Sequence, residues 1–212
     1  MTTIERLPLT RDRVARAALE IGDSKGLESI TMRGVAAALG VEAMSLYNHV
    51  ASKEDLLDAV GDVLYAEVLE QHRLDPGRPW QDDARATVAA FRNLVLAHPN
   101  VAAILLDRPL LAGSKIAFLQ RCHDVFVKAG FSTVDAALEF NTVASWLTGA
   151  IRSELGIMRK LEEMGPISRE DVPEDYYGAV DFMQSCLAWS ADERFEHGFR
   201  TVLAGIEQHL RD

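Results

Sequence analysis

Between Gly40 and Ser52 the chain reads VEAMSLYNHVA. Val41, Leu46 and Val50 fall where a helical turn would bury them, which leaves Glu42, Ala43, Met44, Ser45, Tyr47, Asn48 and His49 on the opposite side. None of these is spaced for nucleophilic attack or paired acid–base work. Their chemistry is contact: Ser45 and Asn48 can bond base edges, Ala43 and Met44 can touch a thymine methyl, and Tyr47 and His49 can reach phosphate oxygens. Lys53, with the free N–H groups behind Ser52, offers a second phosphate site, and Arg33 beside Thr31 a third.

The elements that must hold these groups are helices. Apolar residues recur at helical spacing along almost the whole chain, and no segment alternates with the period of a strand, so the fold class is all-α. Thr10 is a good cap for a first helix, striped by Val14, Ala17, Ala18 and Ile21, that ends at Gly26. Thr31 caps a short second helix that stops at Gly40; a third runs over 43–50; Ser52 opens a long fourth that continues to about His72. The second and third, joined at Gly40 and crossing closely at Ala36, read as a helix-turn-helix whose second member presents its outer face to a major groove. The same pattern also describes an ordinary helical corner, in which Met44 and Tyr47 are core, His49 is solvated and Arg33 is a helix-end charge.

Charge agrees with the first of these readings. Residues 1–53 carry 7 Lys/Arg against 6 Asp/Glu, a net of +1, while residues 54–212 carry 15 against 26, a net of −11. An acidic body repels phosphate, so nucleic-acid contact belongs to the first quarter of the chain. Cys122 and Cys186 are too few for a disulfide framework and read as reduced core residues. The longest unbroken apolar run is Val101–Leu106, so a cytoplasmic protein without membrane contact is expected. There is no Gly-x-Gly-x-x-Gly, no Gly-x-Ser-x-Gly and no Glu three residues before a His, and the histidines beyond the head are scattered. Neither an enzyme nor a metal or cofactor site is expected. LDPGRPWQDD, residues 74–83, forbids a continuous helix and marks the boundary to the rest of the chain. Beyond it helices are expected over 81–97, 100–106, 114–129, 133–158, 174–187 and 191–210.

The stretch ITMRGVAAALGVEAMSLYNHVASKEDLL resembles the DNA-binding head of the tetracycline-repressor (TetR/AcrR) family. That pattern has a leading Thr-x-Arg, here Thr31 and Arg33, then Leu39-Gly40-Val41, Leu46-Tyr47-x-His49, and Lys53 opening the fourth helix. The resemblance implies that Tyr47, His49 and Lys53 position the phosphates. It makes Arg33, Ala43, Met44, Ser45 and Asn48 candidates for base contact. Residues 74–212 resemble the tetracycline-repressor branch more faintly, through PWQDD, AAFRN, the His98 corner and Arg108-Pro109. The implied layout is a DNA-binding domain over 1–53, a linking helix over 53–72 and a ligand-binding, dimerising domain over 74–212. It further implies a homodimer, through helices near 133–158 and 191–210, on double-stranded DNA with a palindromic operator, released by a small-molecule effector.

Apolar stripes support that interface: Val134, Ala137, Leu138 and Asn141 on one helix, and Phe195, Phe199, Val202, Ile206 and Leu210 on the other, though such stripes also build ordinary core. The resemblance places Arg108-Pro109 at the branch's signal-transmitting loop and Phe91 at a pocket aromatic, which makes all three candidates for ligand contact. Ile104 replaces the branch's metal-binding histidine and Ser153 its acidic residue, which removes the case for a magnesium-chelated ligand. Phe91, Ile104, Leu105, Phe118, Trp146 and Met183 suit an apolar or aromatic molecule, or else simply pack. A helical sensor or interaction module that binds no operator is the alternative reading.

Overall fold

The computed structural model describes residues 8–71, 73–108, 113–165 and 168–211, and among them every regular element is helical. The order is α1 (Arg11–Lys25), α2 (Met32–Leu39), α3 (Ala43–Leu46), α4 (Lys53–Gln71), α5 (Trp80–Ala97), α6 (Ala102–Leu106), α7 (Gly113–Ala129), α8 (Thr133–Ser153), α9 (Arg159–Met164), α10 (Tyr177–Leu187) and α11 (Ala191–His209). Two compact units share this chain. The first takes the residues up to Pro76 together with Ala89–Cys122; the second takes Gly77–Val88 and His123 onward.

In the first unit the helix ends are written locally. Thr10 Oγ1 accepts the Arg13 N–H at 3.1 Å, Thr31 Oγ1 the Gly34 N–H at 3.1 Å, and Ser52 Oγ the Asp55 N–H at 3.1 Å. Gly40 closes α2 at φ 66°, ψ 35°, a left-handed conformation that a side chain would strain. Val14, Ala18, Ile30, Val35, Leu46, Val50, Leu56 and Val60 are buried together under these turns. Each large aliphatic among them is worth about 1.5–3 kcal/mol in burial. Gly22 lets the Pro99–Val101 turn come close, and there His98 Nδ1 meets Asp23 Oδ2 at 2.8 Å. Tyr65, Phe91 and Phe118 stack with ring centroids 5.5–6.2 Å apart, and Tyr65 donates to the Leu105 carbonyl at 3.4 Å.

The second unit is built on Phe126, Ala136 and Ile206, with Trp80, Phe131, Phe140, Val143 and Val202 packed around them. The Trp146 ring lies on α11 where Gly198 leaves room: a Cβ there would sit 2.8 Å from the indole nitrogen. Ser190 and Glu193 form a reciprocal cap that starts α11. Asp83 is fully buried and held by Lys128 at 2.7 Å and Arg78 at 3.6 Å.

Three expectations change. The third helix does not run to Val50. It ends at Leu46, and the next residues tighten into turns, with the His49 N–H donating to the Leu46 carbonyl at 2.8 Å. Glu42 supplies no side-chain cap, so a four-residue helix has nothing to propagate it. The helix expected over 133–158 is regular only to Ser153; Glu154–Met158 widens into a π turn around Gly156 before α9 resumes. The α11 stripe is largely spent inside the chain, since Phe199 and Ile206 are buried there, whereas Val134 and Leu138 of α8 stand 73% and 63% exposed.

Candidate nucleic-acid interface

The α2–α3 corner turns its apolar residues inward and its polar ones out. Leu46 and Val50 are buried, and across from them Met44 is 74% and Tyr47 50% exposed, with Glu42 and Asn48 also exposed and Ala43, Ser45 and His49 half-buried. An exposed methionine on a four-residue helix fills no core of this chain. Arg33 is exposed at the start of α2, while the Thr31 hydroxyl is taken by its capping bond. Lys53, at the start of α4, stands 3.9 Å from Glu28 Oε2, a loose pair that leaves the ammonium available to a stronger anion. The candidate DNA contacts thus gather on α3, the turn after it and the adjoining helix starts.

Sequence reasoning missed what fixes the far end of α3. Arg11, the first residue of α1, donates from Nη1 to the His49 carbonyl at 3.0 Å and from Nη2 to Asp55 Oδ1 at 2.5 Å. Asp55 Oδ2 accepts the Ala51 N–H at 2.6 Å. The Arg11 guanidinium holds the Asp55 carboxyl below its ordinary range, with the Ala51 N–H adding to it and partial burial opposing. Arg11 and Asp55 are 44 residues apart, so no spacing rule links them; the one local signal was the Ser52-x-x-Asp55 cap.

The residues singled out for a ligand fall into two groups. Phe91, Ile104, Leu105 and Phe118 belong to the first unit and are buried around Tyr65. Burial pushes the Tyr65 hydroxyl up to about 12. Arg108 is engaged by α4: it donates from Nη2 and Nε to Asp58 Oδ1 at 2.6 and 3.1 Å, and to the Glu54 carbonyl at 3.2 Å. Pro109 lies outside the described residues. Trp146 and the half-buried Met183 belong to the second unit. There Trp146, Phe195 and Met158 with Ser153, Glu154 and Arg194 line a hollow of about 200 Å³, below the span typical of drug-sized sites. Cys122 and Cys186 are both free and half-buried. Among the described residues no cluster of His, Cys, Asp and Glu could hold a metal ion, and no single helix is long and apolar enough to cross a membrane.

Residues 15–60 match the family described as bacterial regulatory proteins, tetR family, and residues 75–210 match the tetracyclin repressor-like C-terminal domain. An HTH-type transcriptional regulator of Saccharopolyspora erythraea is 32% identical over 206 residues, covering 93% of this chain and 84% of its own length. The tetracycline repressor protein class D of Escherichia coli is 27% identical over 203 residues, covering 95% and 91%. Among solved structures, the TetR family protein ActR of Streptomyces coelicolor, in complex with (S)-DNPA, superposes with a TM-score of 0.80 at 27% identity, covering 96% of this chain and 99% of ActR.

Proposed function

Because this chain belongs to the tetR family of bacterial regulatory proteins, it is a ligand-responsive transcriptional repressor, and we propose that it reads a palindromic operator through α3 as a homodimer. In this reading Ala43, Met44, Ser45, Asn48 and Arg33 contact bases, with Glu42 at the rim. Thr31, Tyr47, His49 and Lys53 contact or orient toward phosphates. Two such helices held about 34 Å apart would meet successive major grooves. The observation that carries the reading is the face itself: an apolar tip, Met44, ringed by hydrogen-bonding side chains and backed by buried Leu46 and Val50.

The homodimer reading rests on α8. Val134, Ala137, Leu138 and Asn141 are all exposed on one side of it, more apolar surface than a solvated helix needs. The effector is a small, mostly apolar or aromatic molecule, supported by the Phe91–Phe118 cluster, the Trp146 hollow and the presence of Ile104 where the branch binds metal. ActR, which is known with (S)-DNPA bound, supports an organic ligand. A coupling of about 1–3 kcal/mol would lower operator affinity some 5- to 150-fold.

The test is a fluorescence-anisotropy titration against DNA from just upstream of the protein's own gene, at two salt concentrations, with unrelated duplex as competitor. Tight binding that survives the competitor is expected for that DNA or, failing it, for duplexes selected from a random pool. If neither is bound specifically, the operator-reading role falls and the ligand-sensing module without DNA remains.

A further inference from the structure

A four-residue helix cannot hold its own direction. Inside, α3 is fixed by the burial of Leu46 and Val50. Those two contacts lie on one side and leave rotation about the inner edge unopposed. The opposing grip comes from Arg11. Its guanidinium takes the His49 carbonyl at 3.0 Å, an acceptor that the end of the helix leaves open, and reaches the Asp55 carbonyl at 3.3 Å and carboxylate at 2.5 Å. The second Asp55 oxygen closes the ring by accepting the Ala51 N–H at 2.6 Å. One ion pair therefore ties the start of α1, the turn after α3, the link at Ala51 and the first turn of α4 into a single loop of charge-assisted bonds.

We propose that Arg11 is a positioning residue for DNA recognition, latching the carbonyl end of α3 to α4 through Asp55 and so setting the angle at which Ala43, Met44, Ser45 and Asn48 are presented. The proposal rests on the reading of α3 as the DNA-contacting helix. It assigns Arg11 a positioning role in place of a phosphate contact, since three of its five N–H donors, both of those on Nη2 among them, already serve His49 and Asp55. A latch and a phosphate ligand make opposite predictions. Loss of a latch costs specific affinity and leaves nonspecific, salt-driven binding alone; loss of a phosphate ligand weakens all DNA and flattens the salt dependence.

The experiment compares the full-length wild type with Arg11→Ala, Arg11→Lys, Asp55→Asn and the double variant Arg11→Ala/Asp55→Asn. The probes are a labelled duplex selected from a random pool by the wild type and an unrelated duplex of equal length. Arg11→Ala and Asp55→Asn should each lose about tenfold in affinity for the selected duplex and nothing for the unrelated one, with the salt slope unchanged. The double variant should be no worse than Arg11→Ala, since both remove one interaction. Arg11→Lys, whose point-like ammonium keeps the charge but lacks the planar fork that spans carboxylate and carbonyl, should fall between. Without DNA, amide hydrogen exchange should quicken at Val50 and Ala51 in the variants while the amides of α1 keep their protection.

A fall in affinity for both duplexes with a slope reduced by about one would make Arg11 a phosphate ligand and overturn the latch. So would additive losses in the double variant, or unaltered binding of the selected duplex. If the wild type selects no duplex, the DNA-binding reading itself fails; the exchange measurement then decides alone, and unchanged exchange at Ala51 overturns the latch.

Discussion

Gly22 sits where two buried side chains leave almost no room, and replacing it by alanine puts a number on that closeness. A Cβ at Gly22 would lie 2.4 Å from Val101 Cγ1 and 2.9 Å from Ile30 Cδ1. Ordinary carbon contacts begin near 3.5 Å, so the added methyl is about an ångström too close. Val101 and Ile30 are themselves fully buried, and neither can swing into solvent to make way. Overpacking of this kind costs about 1–3 kcal/mol. Against it stands the better helix propensity of alanine, at most about 1 kcal/mol and less near a helix end. The backward push on the Pro99–Val101 turn would also stretch the His98–Asp23 contact and the 2.6 Å bond from the Asn100 amide to the Asp23 carbonyl. The net expectation is a loss of about 1–2 kcal/mol. Urea denaturation followed by circular dichroism, at fixed protein concentration, should show a lower midpoint with an unchanged m-value. Gly178→Ala, at an exposed helical position with nothing within 4 Å, is the control and should stay within about 0.5 kcal/mol of the wild type. Val101→Ala placed in the Gly22→Ala background should cost less than it does alone. If Gly22→Ala is as stable as the wild type, propensity outweighs crowding and the close-packing account is wrong.

Lys53→Ala should weaken binding to every duplex alike and reduce the salt slope by about one, whereas Asn48→Ala should relax preference at one base position by about 1–3 kcal/mol; an untouched slope would remove Lys53 from the phosphate contacts. Asp55 titrates below its ordinary range when folded, so its stabilising effect is whole above about pH 4 and is lost as pH falls through the depressed value. The wild type should therefore lose more stability than Asp55→Asn between neutral pH and pH 3, and parallel acid limbs would contradict the pairing with Arg11. Leu138→Glu, on the exposed side of α8, should convert a dimer to a monomer in sedimentation equilibrium; a dimer that survives it would move the interface elsewhere.

What could be read from the amino acids alone divides by range. Thr10, Thr31, Gly40 and Ser52 announced their helix ends correctly, because a cap is decided by a hydroxyl or a missing Cβ within three residues of the backbone it serves. The outward face of α3 was legible for the same reason: Leu46 and Val50 give its inner side away. Its length was not, since Tyr47 to Val50 contain no glycine or proline to stop it and the Arg11 bond that receives the His49 carbonyl comes from another helix. Arg108 read as a loop residue facing a ligand, and its grip on Asp58 depends on a fold that brings residues 50 positions apart together. On α11 the periodicity of Phe199 and Ile206 correctly announced an apolar side. Periodicity cannot say which surface covers that side, and here it is the chain's own core.

The distribution of aromatic rings carries an optical consequence. All three tryptophans, Trp80, Trp146 and Trp189, belong to the second unit, while the first has only tyrosine and phenylalanine, including the Tyr65–Phe91–Phe118 stack. Light absorbed by indole alone therefore sees one half of the protein and is blind to the other. A molecule lodging beside Phe91 would leave tryptophan emission unchanged unless the disturbance spreads beyond its own unit. A shift in that emission would be a direct, label-free signal of communication between the two halves.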